Sequence, residues 1–576
     1  MREVMDLAAL RIAVAMREPG FEAEYMAPAE ELNARLRECI GDGLDGKDAA
    51  DVLAAYLDEV EAEMAQNASR HSRGYWMHVT RRVPPRPLGS ASAWTVHLYR
   101  RVLTLAVLKH GAPATLDDEF NLVETPLGRQ QVANRLDHAD LVEAFALEYL
   151  AYEYVTATQA YRRVGKGARL QVAADDFHAV PDADELEKLM QDVDRRVDEY
   201  GELVSSSGMV ADRGFPTEPV EEGEVPLAIL AAQPNVELLP PEKISRHKVP
   251  LGGPANFSVV SIVIDGYREA FGTLSEEVQR ATGLEPDVLL ATVWALSMRL
   301  VHGIDASPTV ESQVLRVGYL MVPDENWDRV RDDVAYFVRS LWAYWTGERL
   351  DRADALQYVT QGLNALTWSE EAIASIRLWD RLPFSLIVDA AGFRLIDYAA
   401  FPEMFADIFR QVGEVAEQAG GGTKGANFEA AVAARTRQEG FEPWMESRKL
   451  HHQNGTEREI DLGIVVGQTL YVIECKARVR GIRIDRGDWS ARLNRQETLV
   501  ADLDQARTLV GFLQEERTGA DYEVPARVTS FEHVLCTPGP EFMWTRESEL
   551  WLTDEIPRIC TPDELVLALT EAQAAT

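Results

Sequence analysis

Cysteine is scarce in this chain. Its 576 residues hold four, Cys39, Cys475, Cys536 and Cys560. No two stand in a C-x-x-C spacing, so neither a disulfide framework nor a zinc ribbon is indicated, and reduced thiols used in packing are expected. Long uncharged apolar runs are missing as well. No stretch of about 18 such residues occurs, and the opening MREVMDLAALRIAVAMREPG carries charges through its apolar positions. That argues against a membrane span or a secretory leader and makes a cytoplasmic location the default. Positive charge is the third deficit: 58 Lys and Arg face 94 Asp and Glu, a formal net charge of -36. Such a chain repels nucleic acid as a whole, so any site for it must be local. Neither GGGTKG at 420–425 nor GKG at 165–167 meets the phosphate-loop pattern, because Lys424 and Lys166 are each followed by Gly, and nucleotide binding at both is rejected.

What remains is a globular composition, 46% hydrophobic and 26% charged, in a chain too long for a single core. Residues 1–203 read mostly as helices. In 128–163 the apolar face Leu141, Phe145, Tyr149, Tyr152 recurs at spacings of three and four, and the acids Glu143, Glu148 and Glu153 lack the Glu-x-x-His partner of a helical metal site, so they read as a solvated face. Residues 204–256 are rich in Pro, Gly and Ser and read as an irregular connector. Helical patterning returns within 257–415, where Trp342, Tyr344 and Trp345 are expected in the core. The Gly-rich stretch at 416–429 reads as a hinge into a last domain, 416–576, able to bury a core of its own from about Gly422 onward. The expected fold class is α+β and multidomain: a large, mostly helical N-terminal region followed by a C-terminal α/β domain with a central mixed sheet.

The C-terminal pattern is the informative one. A helix should open near Asn427 and stop at Gly440. A hairpin follows in EREIDLGIVVGQTLYVIECKARV. With Gly467 and Gln468 as its two-residue turn, Val466 faces Thr469 and the pairing runs on until Asp461 stands opposite Glu474. Side chains alternate along a strand, so Lys476 points to the same side as Glu474. Two acids and a lysine thereby converge at one strand end, between apolar runs. Like charges so placed repel, and a hard divalent cation such as Mg²⁺ (or Mn²⁺) compensates them best, with Lys476 able to stabilise developing negative charge on a phosphoryl group.

Asp461, Glu474 and Lys476, spelled ID, twelve residues, ECK, resemble the PD-(D/E)XK nuclease superfamily over roughly residues 420–576, with Ile460 in place of the motif's proline. The resemblance implies a restriction-endonuclease-like fold, catalytic roles for Asp461, Glu474 and Lys476, metal binding by Asp461, Glu474 and Glu429, and site support from Gln505 on the following long helix. It implies a Mg²⁺-dependent endonuclease acting on DNA, of a restriction or anti-phage defence kind; it says nothing of residues 1–415, which are expected to sense, to bind a partner protein or ligand, or to form a homo-oligomer. A non-catalytic nucleic-acid-binding or scaffold protein that retains the fold, and a DNA-repair nuclease, are the alternatives. The local signal for substrate is KARVRGIRIDRGDWSARLNR, in which Arg478, Arg480, Arg483, Arg486, Arg492 and Arg495 surround Trp489. Forked arginine donors suit phosphate oxygens, and the indole suits a base.

Overall fold

The protein is described from a computed structural model. The described residues lie in 12–200, 257–415 and 423–575, leaving aside chiefly 83–92, 114–121, 132–137, 303–313, 315–317, 379–383 and some shorter stretches; of the 204–256 connector they include Val210–Ala211 and Ala231–Pro234. Both of these short pieces pair antiparallel with Phe257–Ile262, so that part of the connector is strand, and the rest of the expectation lies outside the described residues.

The N-terminal region is helical, as its periodicity requires. α1 (Phe21–Ile40), α2 (Gly46–Ala68), α3 (Ala93–His110), α4 (His138–Gly165) and α5 (Asp184–Tyr200) are its longer helices. α4 lies at the centre, against α1, α2 and α3, and is buried around most of its circumference. The expected solvated face is therefore wrong for two of its acids: Glu148 and Glu153 are buried, and only Glu143 stays near the surface, paired with Arg70 and His71. This first core extends into later sequence, taking in Tyr319, Trp368, Phe393 and Leu395, and a buried Arg81–Asp397 ion pair of 2.8 Å ties the two regions.

A second core gathers α6 (Ile264–Thr273), α7 (Ser275–Thr282), α8 (Pro286–His302), α9 (Trp327–Thr346) and α10 (Arg352–Ala365) around a small sheet. The sheet's strands β1 (Tyr319–Pro323), β2 (Ile387–Ala390) and β3 (Phe393–Asp397) run antiparallel in the order β1-β3-β2.

The C-terminal region is a five-stranded mixed sheet with helices. α11 (Thr423–Gln438) begins a turn earlier than expected, so Asn427 lies inside it, and it stops before Gly440, whose φ of +86° suits glycine. β4 (Pro443–His451), β5 (Glu457–Val466) and β6 (Thr469–Cys475) form an antiparallel meander. β4 was not legible because it is a sheet edge, and its run MESRK carries the charges that edge strands use against unwanted pairing. After α12 (Trp489–Glu515), β7 (Ser530–Cys536) joins β6 in parallel; β8 (Ile559–Cys560) and α13 (Pro562–Ala574) complete the order β4-β5-β6-β7-β8. α12 supplies the crossover a parallel pair needs. α13 opens on a capping box between Thr561 and Glu564.

Two apolar clusters of this region are built from its own residues alone, and a third takes in a side chain from α5. Leu189 of α5 packs with Leu499, Leu503, Leu535 and Ile559. Arg196 of α5, 1% exposed, pairs with Glu564 and donates to the carbonyls of Glu541 and Ile559. Cys475, Cys536 and Cys560 are buried free thiols, whereas Cys39 is exposed. Among the described residues no helix is long and apolar enough to cross a membrane.

Candidate active site

The hairpin forms in the expected register. Pairing runs from Val466–Thr469 to Leu462–Ile473, around a turn in which Gly467 has φ +55°. Asp461 lies one step beyond, where its Oδ2 accepts a hydrogen bond from the Cys475 N–H at 2.8 Å. Alternation sends Ile473 and Cys475 into an apolar cluster with Leu462, Ile464 and Val534, and Glu474 and Lys476 to the other face. The Lys476 Nζ donates to Glu474 Oε1 at 2.5 Å. Its backbone N–H bonds the Cys536 carbonyl at 3.0 Å, which fixes the chain just past the strand end.

Both acids are nearly buried, at 9% exposure each. Burial pushes the Asp461 carboxyl up to about 7, with the charges of Glu474 and Glu429 adding to it and the Cys475 N–H opposing. Burial works to lower Lys476, but the hydrogen bond and charge of Glu474, with the charges of Asp461 and Asp502, outweigh it and hold the ammonium above its ordinary value. The site thus favours a charged lysine and resists a second carboxylate charge.

Glu429 projects from α11, and its Oε2 accepts from the Ser447 hydroxyl at 2.9 Å. Ser447 has φ +41°, the one described non-glycine residue in left-handed backbone. The β4–β5 ladder passes from Glu446–Leu462 to Arg448–Ile460, so this strained residue stands at the level of Asp461. Strain at such a place marks a position over-determined by its surroundings. No sequence signal pointed to Ser447, which sits in a polar edge strand.

Gln505 is exposed on α12. The acid that α12 turns toward the site is Asp502, 3% exposed, which grips Arg478 at 2.8 Å and acts on Lys476 through its charge. It was missed, although a signal existed: Asp502 occupies a core position in the Leu499, Leu503, Ala506, Leu509 stripe of α12.

The basic segment is divided. Trp489, Arg492 and Arg495 fall in the first two turns of α12, opened by an Asp488 cap on the Ala491 N–H. Arg495 is buried, bonded to the Arg478 carbonyl and paired with Glu541 at 2.5 Å. The Arg480 Nη1 donates to the Pro540 carbonyl at 2.8 Å. Burial pulls Arg486 down to about 10, against the opposing influence of Tyr161 and Tyr154 of α4. Arg492 stacks on the Trp489 ring at 4.8 Å, and that ring packs against the first core. At the seam, a Cβ on Gly165 would stand 2.1 Å from the Gly487 carbonyl oxygen, so GKG, rejected as a phosphate loop, provides a close backbone contact between regions. Arg483 remains at the surface, 64% exposed, beside Asp488.

No protein-family model, curated protein or solved structure matches the chain.

The donor set can be tested against the implied ion. Among the described residues no group of three or more His, Cys, Asp or Glu side chains is gathered to enclose a metal. Mg²⁺ does not require one: it commonly takes one or two carboxylates and completes its shell with waters and substrate phosphate. Asp461 and Glu474, buried, adjacent and mutually repelling, fit that demand, with Glu429 close enough to raise the Asp461 pKa.

Proposed function

We propose that residues 416–576 form a metal-dependent nuclease centre of the PD-(D/E)XK, restriction-endonuclease-like type, acting on DNA, and that the upstream helical regions sense or assemble. The observation that supports it is the convergence of Asp461, Glu474 and Lys476 at the end of one hairpin, with the lysine ammonium 2.5 Å from Glu474. Asp461 and Glu474 would hold Mg²⁺ or Mn²⁺, which when bound supplies Lewis-acid polarisation of a phosphoryl oxygen and a more acidic water. Lys476, fixed at its backbone and held cationic by three neighbouring acids, stabilises negative charge developing on the phosphoryl group. Asp502 holds Arg478, two residues past Lys476. Assignment to restriction or anti-phage defence rests on fold-level analogy.

The test is cleavage of plasmid, linear and single-stranded substrates with and without Mg²⁺. Asp461→Ala and Glu474→Ala should each depress Mg²⁺-dependent cleavage about a thousandfold or more while circular dichroism stays unchanged. A proton on Asp461 competes with the ion, so half-maximal cleavage should need more Mg²⁺ as pH falls below about 7. Undiminished cleavage by both variants would sink the proposal.

A further inference from the structure

The second core leaves an open cleft of about 1330 Å³ between α6, α7 and the start of α8 on one side and α9 and α10 on the other. The aromatic residues expected in the core only half enter it. Trp342 and Trp345 pack partly on the second core, while Tyr344 is 46% exposed. The Trp342 ring lies 5.4 Å from that of Tyr358 and is tilted 38° to it, so two helices each present an aromatic ring to the cleft.

The charges within reach are already engaged. Arg268 grips Asp287 with two hydrogen bonds, at 2.9 and 3.0 Å, and lies 4.6 Å from the centroid of Trp345. Glu285, exposed at the rim, accepts from the Gln279 amide at 2.7 Å. This balance provides no available cation for a phosphate and a mild bias against anions. Two polar groups do stand ready: Gln361 and Asn364, one turn apart on α10 and both exposed, line the cleft with no side-chain hydrogen bond among the described residues. Each amide offers both donors and an acceptor. Beside Gly272 and Gly283 no atom lies within 4 Å of where a Cβ would stand, which keeps the mouth clear.

Aromatic rings next to paired amides, without an anion-binding group, select a planar ring with a hydrogen-bonding edge. We infer that this cleft binds an uncharged heterocycle of the nucleobase class, as free base or nucleoside, stacked against the Trp342 and Tyr358 rings with its edge read by Gln361 and Asn364. The site is separate from the hairpin and does not depend on the nuclease reading.

The experiment is isothermal titration calorimetry on the full chain with adenosine, guanosine, cytidine and uridine, their 5′-monophosphates, and tetramethylammonium as a cation probe. It is run in parallel on Asp461→Ala, so that binding at the hairpin cannot be mistaken for binding at the cleft. At least one nucleoside should bind, at least as tightly as its monophosphate and equally in Asp461→Ala. The double variant Gln361→Ala/Asn364→Ala, at exposed positions without partners, should weaken it about tenfold or more, and Tyr344→Ala should weaken it less. The inference is overturned if no nucleoside binds at millimolar concentration, if the monophosphate or tetramethylammonium binds tenfold tighter than every nucleoside, or if the double variant binds like the natural chain.

Discussion

Two pairs of buried acids lie in different regions of this molecule and meet the cost of burial differently. In α4, Glu148 lies 3.4 Å from Arg100, and Glu153 has the Tyr56 hydroxyl at 3.5 Å and the Asn33 amide as partners. At the hairpin, Asp461 has one backbone N–H, and Glu474 has Lys476. Burial is the leading cause that pushes both Glu153 and Asp461 up to about 7. The helical pair is enclosed by hydroxyls, an amide and a guanidinium within one core. At the hairpin a third acid, Glu429, adds to the repulsion on Asp461, as Asp176 and Glu30 add to that on Glu153, but there a lysine is bonded to the second acid. Burial of a carboxylate is therefore not the mark of a site. What sets the hairpin pair apart is its place: two acids and a lysine meet at one strand end, with the lysine bonded to Glu474.

The largest expected effect separates the two pairs by activity. Asp461→Asn should lose cleavage about a thousandfold, whereas Glu153→Gln, equally a neutralised buried acid, should cut at the natural rate. If single-turnover rates in Mg²⁺ fell alike in both, the two pairs would not differ in kind.

A third buried acid shows what complete compensation requires. Glu564 is closed by Arg196 from a helix more than 360 residues earlier in the chain and by its own cap at Thr561. Arg196→Ala leaves that carboxylate buried without its cation and should cost about 3–5 kcal/mol, measured by urea unfolding. By the same reasoning a fragment starting at residue 422 should be unstable, and residues 1–203 supplied in trans should restore it. A fragment as stable as the intact chain would show that α5 contributes little to the C-terminal core.

Glu153 is expected to give the next smaller effect, and its sign is fixed by its raised pKa. The folded state holds the proton more tightly than an unfolded chain, whose Glu titrates near 4.5. The native acid is therefore least costly below that value, loses stability as pH climbs toward 7, and bears the full penalty above it, about 3 kcal/mol. Glu153→Gln should match the natural protein at pH 4 and exceed it by up to that amount at pH 8. Equal urea midpoints at pH 8 would mean that Tyr56 and Asn33 already hold the charged form comfortably.

The unequal legibility of these regions has a physical basis. In a hairpin the period is two and the turn fixes the register, so from Gly467 and Gln468 alone the neighbourhood of Asp461, Glu474 and Lys476 could be counted residue by residue. A helical period assigns a face but not what covers it. α4 shows apolar spacing on one side and is nonetheless covered on nearly all, which hid the burial of Glu148 and Glu153. Neighbours supplied from far away left no local trace: neither Leu189 nor Arg196 gives any sign in α5 that it completes another region's core. Net charge misled in a related way, because the basic run 476–495 reads as a surface for phosphate while Arg495 and Arg486 are drawn into the seam with α4 and the Glu541 loop.

That division yields the smallest and most discriminating expected effect. Arg483, exposed and held at its own loop by Asp488, can reach a phosphate without unfolding anything. Arg483→Ala should lower the slope of log affinity against log salt by roughly one unit and leave stability within about 0.5 kcal/mol. Arg495→Ala should do the reverse, leaving Glu541 buried without its cation, so stability falls while the salt slope of the folded protein is unchanged. DNA affinity against salt in Ca²⁺, beside urea midpoints, reads both at once. If Arg495→Ala lowers the slope and Arg483→Ala does not, the seam opens when nucleic acid binds, and the contact surface includes the arginines that are now folded inward.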